Sequence, residues 1–269
     1  GASGLVGRHL LVRLAEAGHA VDAVSRNPGQ LEARAGMRAI QADLAMPDWI
    51  AKIGISLAKY EVIYHLAYAS GRDETYNHRV TVDSVRALME GLREIGDTKL
   101  RHVVYVGSMV VFGSLPEDPV VTEESTRIGD SAYARNKIAA AQHASMTKPG
   151  LVSTILHPTG VYDESSPRIR TYRQLLSRNY IALRAGGRGT NNIVHAADVA
   201  DALMQCIRRV PASSTEEYII NGESISYGDW FERLSSTTTN RSWLQLPQAA
   251  KHLCRGPVRR MLNAVGISC

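Results

Sequence analysis

The sequence predicts an α/β fold: a doubly wound parallel sheet, with a smaller C-terminal region that binds substrate and caps the sheet. Two observations carry the prediction. Strand and helix patterns alternate through the first two-thirds of the 269 residues, which implies parallel strands joined by crossover helices. The stretch Glu61–Ala67 is a continuous apolar run and His102–Gly107 is strongly β-branched, as in strands covered on both faces.

The elements follow in order. Gly1-Ala2-Ser3-Gly4-Leu5-Val6-Gly7 spaces its glycines as G-x-x-G-x-x-G, and an apolar helical pattern through Leu10, Val12, Leu14 and Ala17 ends at Gly18. Such a turn lets the backbone approach a pyrophosphate, and the free N–H groups at the helix start hold its charge. It reads as a dinucleotide-binding turn. A buried strand ordinarily leads into it, so the expectation is that this first strand is missing from the chain and the sheet lacks a central member. Ala20–Ser25 and Arg38–Gln41 read as strands. Long helices are expected near Val80–Ile95 and Ser131–Met146, with a strand at Leu151–Leu156 between the second helix and the change of texture after Gly160. Beyond it come a loop at Gly186–Gly189, a helix at Asp198–Val210 and a short strand at Glu217–Ile220. This divides the chain into a dinucleotide-binding domain, 1–160, and a substrate-binding region, 161–269, some of whose elements return to the sheet.

Bulk properties narrow the function. The net charge is +5, from 31 basic and 26 acidic residues, and the basic residues are scattered. A nucleic-acid binder would show a basic stripe with interleaved aromatics, so none is expected as a partner. Cys206, Cys254 and Cys269 have no metal-ligand spacing, so no metal site is expected, and free thiols fit a reducing, cytoplasmic setting. No apolar run approaches the ~18 residues that span a bilayer. The basic segment Lys251–Ile267 reads as a packed terminal helix rather than a membrane contact.

The sharpest chemical signal is Tyr133-Ala134-Arg135-Asn136-Lys137. Residues four apart on a helix share a face. Lys137 is therefore expected to favour the ionised phenol of Tyr133 and lower its pKa, so that Tyr133 exchanges protons with a substrate hydroxyl. Ser108, just after the strand His102–Gly107, stands where it can orient the substrate oxygen toward Tyr133.

Taken together, Gly1–Gly7, His65-Leu66-Ala67, Ser108–Gly113, Tyr133–Lys137 and Ile193–Ala200 resemble the extended short-chain dehydrogenase/reductase superfamily, and within it the NAD-dependent epimerase/dehydratase family. The resemblance runs from Gly1 to about Asn221 and includes the 25 positions from Ser108 to Tyr133. It implies a Rossmann-type fold. Tyr133 would be the acid/base, Lys137 would tune it and bind the nicotinamide ribose, and Ser108 would polarise the reacting oxygen. Gly1, Gly4 and Gly7, with Ser3, Leu5 and Val6 between them, would surround the pyrophosphate. Asp43 and Leu44 would lie beside the adenine, Leu66 and Ala67 would line the cofactor path, and Pro158 and Thr159 would flank the nicotinamide. A homodimer through the two long helices is also implied.

Departures from the family pattern shape the reading. Arg26 stands where NAD-preferring relatives place an acid, and it suits a 2′-phosphate. The expected cofactor is therefore NADP, with NAD the alternative. Met109 and Val110 replace the Asp-Glu pair of the 4,6-dehydratases, which disfavours that reaction. Asn191 replaces a pyrophosphate-binding arginine, His157 replaces Arg or Asn, and Thr81 replaces an Asn of the proton relay. The expected activity is epimerisation or dehydrogenation/ketoreduction of a sugar, the nucleotide-linked form being the one the family implies. The alternative is a dinucleotide-binding sensor or structural protein without chemistry.

Overall fold

A computed structural model of the protein describes residues 1–53, 56–69, 71–96, 98–113, 120–177, 182–184, 187–208, 214–235 and 244–246. The basic segment 251–267, the loop 236–240, Cys254 and Cys269 lie outside them. The chain divides into two compact units: Gly1–Thr159 with Ala196–Ile220, and Gly160–His195 with Asn221–Cys269.

The first unit alternates helices and parallel strands. Its elements are α1 (Leu5–Glu16), β1 (Val21–Ser25), β2 (Met37–Gln41), the short α2 (Trp49–Lys52), β3 (Val62–His65), α3 (Glu74–His78), α4 (Ser84–Glu94), β4 (His102–Val106), α5 (Ala132–Ala144) and β5 (Val152–Pro158). A π turn, Arg79–Asp83, joins α3 to α4, and a 3₁₀ turn, Met109–Phe112, follows β4. In the second unit lie β6 (Gly160–Tyr162), α6 (Pro167–Ser177), β7 (Ala182–Arg184) and β8 (Thr190–His195). The chain returns to the first unit with α7 (Ala196–Arg208) and β9 (Thr215–Ile220). It finishes with β10 (Glu223–Ser226), α8 (Tyr227–Ser235) and β11 (Leu244–Leu246) in the second.

The strands of the first unit form two parallel sheets, β1-β2 and β3-β4-β5-β9. All five residues of β4 are buried, as its β-branched sequence predicts for a central strand. Its Val103 and Tyr105 side chains pack with Leu88 and Leu92 of α4, Ala140 and Ala144 of α5, and Trp49. Alanines on α5 let that helix lie close to the sheet. Helices α1 and α7 are tied by Arg13, whose guanidinium reaches both carboxylate oxygens of Asp201 at 2.6 and 3.4 Å.

Strand β3 is shorter than the apolar run Glu61–Ala67 and only half-buried over three of its four residues. The reason lies beside it: β1 and β3 do not pair, and an apolar cavity of about 730 Å³ runs along both, lined by Leu10, Leu14, Val24, Ile63 and Gly1 among others. The core against α4 and α5 is closed nonetheless.

The second unit is built on β10-β8-β6, with β10 antiparallel and β6 parallel to β8, and on a parallel pair β11-β7. Its core joins Ile169, Leu176, Ile193, Trp230, Phe231 and Leu234. Among the described residues no helix is long and apolar enough to cross a membrane. No group of three His, Cys, Asp or Glu side chains among them is placed to hold a metal ion.

Candidate active site

Three groups of side chains gather in the first unit, on the loops that follow β1, β3, β4 and β5. The first is the glycine turn. A Cβ on Gly1 would lie 2.5 Å from the Leu66 carbonyl carbon and 2.7 Å from the Ala67 nitrogen, and one on Gly7 would collide with the carbonyl oxygens of Gly1 and Ala2. Gly4 N donates to Gly1 O at 3.0 Å, closing the turn. No side chain caps the N-terminus of α1, where Leu5 and Val6 stand first. A turn without room for side chains ahead of an uncapped helix has the geometry that fits a phosphate. Ser3 Oγ lies 3.2 Å from Ser25 Oγ, which joins the turn to the end of β1.

The second group follows β1. Arg26 Nη1 donates to Tyr76 Oη at 2.6 Å, and its guanidinium stands 5.7 Å from the centre of that ring. Tyr76 Oη in turn faces both carboxylate oxygens of Asp43, at 3.3 and 3.4 Å. Asp43 is fixed by the Ala45 N–H at 3.0 Å. Leu44 and Tyr76 pack on Ala45, Ala67 and Val80. Thr81, fully buried in the π turn, accepts a hydrogen bond from Ala69 N at 3.2 Å and so holds the loop after β3.

The third group lies beyond the end of β4. Ser108 caps the 3₁₀ turn, its Oγ accepting from Val110 N at 3.3 Å. Ser131 caps α5 and accepts from Ala134 N at 3.1 Å, which places Tyr133 in the first turn of that helix. One turn on, Lys137 is buried, and its Nζ donates to Val106 O at 2.7 Å. The ammonium lies 5.1 Å from the centre of the Tyr105 ring and 5.2 Å from that of Tyr68. The Tyr68 and Tyr133 rings are 5.8 Å apart.

The electrostatics differ from the sequence expectation. Burial pushes the Tyr133 phenol up to about 12, with Tyr68 adding to the rise and the hydrogen bond with Ser108 opposing it. Lys137 is therefore not the group that lowers it here. Lys137 is itself lowered to about 7 by burial, because a low-dielectric site disfavours its charge. The same desolvation moves the two groups apart, the phenol up and the amine down.

Pro158 ends β5 in a buried position, and Thr159 N donates to Ile220 O at 3.0 Å. The structure thus brings Ser108, Tyr133 and Lys137 together. It joins them to the glycine turn through Leu66, Ala67 and Tyr68. Arg26 and Asp43 meet through Tyr76. His195, in the second unit, lies 3.3 Å from Glu164 and edge-on to Tyr162, and Asn191 pairs with Ile225 in the β8–β10 ladder.

The sequence matches the model of the NAD dependent epimerase/dehydratase family over residues 1–221. The chain belongs to this family. Sequence comparison finds no match among curated proteins. Solved structures share its fold. MoeE5 in complex with UDP-glucuronic acid and NAD is 22% identical, with a TM-score of 0.72 over 97% of this chain and 94% of that one. WbmH of Bordetella bronchiseptica in complex with NAD+ is 15% identical, with a TM-score of 0.78 over 92% and 83%. UDP-glucuronic acid 4-epimerase from Bacillus cereus in complex with NAD is 19% identical, with a TM-score of 0.74 over 92% and 85%.

Sequence reasoning missed two neighbours of the site in this member of the epimerase/dehydratase family, and it marked a third, His157, only as a departure from the family pattern. Tyr68 directly follows the Leu66-Ala67 pair, and its 55% exposure for a large aromatic marks it. Tyr76 meets Arg26 across 50 positions of sequence. His157 is fully buried next to Ser108, and a histidine inside an apolar strand was the signal for it.

Proposed function

We propose that the chain is a nicotinamide-dependent enzyme that oxidises or reduces a sugar carbon through Ser108, Tyr133 and Lys137, the sugar being nucleotide-linked. The observation that carries this reading is the convergence of those three residues beyond β4, within contact of the loop on which the glycine turn packs. The turn fits a dinucleotide, since its backbone packs too closely for Cβ atoms on Gly1 and Gly7 and no side chain caps the start of α1.

When bound, the nicotinamide supplies hydride transfer. The chain's own residues do the rest. Gly1, Ser3, Gly4, Leu5, Val6 and Gly7 hold the pyrophosphate at the start of α1. Asp43 and Leu44 bound the adenine end, and Leu66, Ala67, Pro158 and Thr159 line the path to the reacting carbon. Tyr133 Oη gives or takes the proton of the substrate oxygen, and Ser108 Oγ hydrogen-bonds that oxygen and fixes its position. A phenol held near 12 is a ready proton donor only when a neighbouring charge stabilises its anion. Lys137, one helical turn away, is the group placed to do so in its protonated form, which burial disfavours.

Arg26 supports NADP as the cofactor. Its guanidinium is already oriented by Tyr76, which reduces the ordering cost of a bidentate contact to a phosphate. The relatives described above carry NAD, and NAD is the alternative. Met109 and Val110, next to Ser108, carry no ionisable group, so dehydration through those positions is not part of the reading. Epimerisation and net oxidation use the same three residues.

The test is turnover of UDP-glucose and UDP-glucuronic acid with NAD or NADP, followed by cofactor absorbance for redox and by NMR of the sugar for epimerisation. Tyr133→Phe should abolish either. Full turnover by that variant would remove the proposed chemistry. Dinucleotide binding without any turnover would favour the sensor reading.

A further inference from the structure

His157 lies directly beneath Ser108 and has no place in the chemistry described so far. The ring is fully buried at the carboxyl end of β5. Its Nδ1 stands 3.3 Å from the Ser108 carbonyl oxygen, and its Nε2 stands 2.8 Å from Glu217 Oε2. Glu217 lies on β9, two residues before Ile219, the partner of His157 in the β5–β9 register. The two side chains therefore share one face of the sheet. Arg127 donates to the same Glu217 oxygen. Burial raises the Glu217 carboxyl, but hydrogen bonds from His157 and Arg127 outweigh this and hold it below the usual range. Phe112 meets the ring edge-on, with centroids 5.6 Å apart.

The neighbouring backbone is shaped around this ring. A Cβ on Gly107 would lie 2.7 Å from His157 Nδ1 and 2.9 Å from Cε1. A side chain at 107 and the ring at 157 are mutually exclusive. The Ser108 carbonyl also accepts from Val111 N at 3.2 Å, which closes the 3₁₀ turn. The ring thus grips the peptide that fixes where Ser108 points, and it does so from a position shielded from solvent.

We infer that His157, anchored by Glu217 and Arg127, is a positioning residue that holds the Ser108 backbone so that its hydroxyl meets Tyr133 and the substrate oxygen. The inference rests on the reading of Ser108 and Tyr133 given above. The two neighbours of the ring, a carbonyl at Nδ1 and a carboxylate at Nε2, are both acceptors. The donor that matters for Ser108 is Nδ1–H. The contact at Nε2 serves the anchor.

Two amides separate these roles. The amide nitrogen of an asparagine occupies the place of Nδ1, and that of a glutamine occupies the place of Nε2. His157→Asn should keep kcat within about threefold of wild type, while His157→Gln and His157→Leu should lose roughly tenfold to a hundredfold, the cost of a misplaced catalytic group. KM should stay within about twofold in all three, because most contacts to the substrate lie away from Ser108 and only the placing of its reacting oxygen changes. The assay is turnover of UDP-glucuronic acid with NAD or NADP, on variants whose thermal melts show a folded chain. Equal losses for Asn and Gln, or losses confined to KM, overturn the inference. A second measurement needs no turnover: long-range ¹⁵N spectra of histidine-labelled protein, with His157→Gln for assignment. A proton on Nδ1 supports the grip on Ser108, and a bare Nδ1 overturns it. If Tyr133→Phe turns over like wild type, the site reading fails instead, and the ring spectrum still reports on the contact with Ser108.

Discussion

The Lys137 ammonium donates a 2.7 Å hydrogen bond to the carbonyl oxygen of Val106, at the end of β4. This one contact holds the amine in a site that disfavours its charge. Burial lowers Lys137 from 10.5 to about 7. Between those values the folded chain holds the amine neutral while the unfolded chain protonates it. The unfolded state then binds more protons, so raising the pH through this window stabilises the fold. Lys137→Met has no such group. Across pH 7 to 10 the wild type should gain stability relative to the variant by up to about 1.4 kcal/mol per pH unit. Urea unfolding of both proteins at several pH values reads the difference, and parallel profiles would show that Lys137 is not desolvated.

Tyr133 should be separable into a chemical and a structural part. Its hydroxyl meets Ser108, while its ring packs against Tyr68. Tyr133→Phe keeps the ring and removes the proton. Turnover of UDP-glucuronic acid should fall about 10²–10⁴-fold, the usual worth of a positioned acid/base, with the melting temperature nearly unchanged. Ser108→Ala should fall less, since the proton still has a route. A loss of folding in Tyr133→Phe would instead make the hydroxyl a structural group.

The contact between Arg26 and Tyr76 predicts a graded response to cofactor. Charge-assisted hydrogen bonds contribute about 1.5–3 kcal/mol each, which is roughly a tenfold to hundredfold change in affinity. Arg26→Ala should lose that much affinity for NADPH and little for NADH. Tyr76→Phe should lie between, because it removes the 2.6 Å bond that orients Arg26 but leaves the guanidinium in place. Calorimetry with both dinucleotides measures this. Equal losses for NADPH and NADH would leave Arg26 as a turn residue only.

Much of this arrangement is legible in the sequence because it is local. The glycine spacing, the β-branched run of β4, and the one-turn offset of Tyr133 and Lys137 each depend on a few neighbouring residues. The contacts that escape sequence reading depend on register. His157 meets Glu217 only because β5 and β9 align His157 with Ile219. Tyr76 meets Arg26 only because the chain folds back after β3. The pKa of Tyr133 departs from the sequence expectation for a similar reason: helical spacing gives the distance to Lys137, but the degree of burial belongs to the whole fold, and burial dominates. The apolar run at Glu61–Ala67 likewise predicts a fully covered strand, whereas three of the four residues of β3 are half-buried.

The glycine turn gives the most direct test of cofactor binding. At Gly7 an added Cβ would run into two backbone carbonyls, those of Gly1 and Ala2. Neither can swing aside as a side chain would, so the turn itself must open. Gly7→Ala should therefore lose about 1–3 kcal/mol of stability through overpacking. It should also lose the stabilisation by ligand, which for the wild type is about 2.7 kcal/mol at a hundred times Kd. Gly18→Ala is the control. Gly18 has φ +76° and open space around it, so alanine there strains the backbone at the far end of α1 without touching the turn. That variant should melt lower yet keep the full shift with NADPH or NADH. If Gly7→Ala kept the shift as well, the pyrophosphate would have to be held elsewhere than at the start of α1.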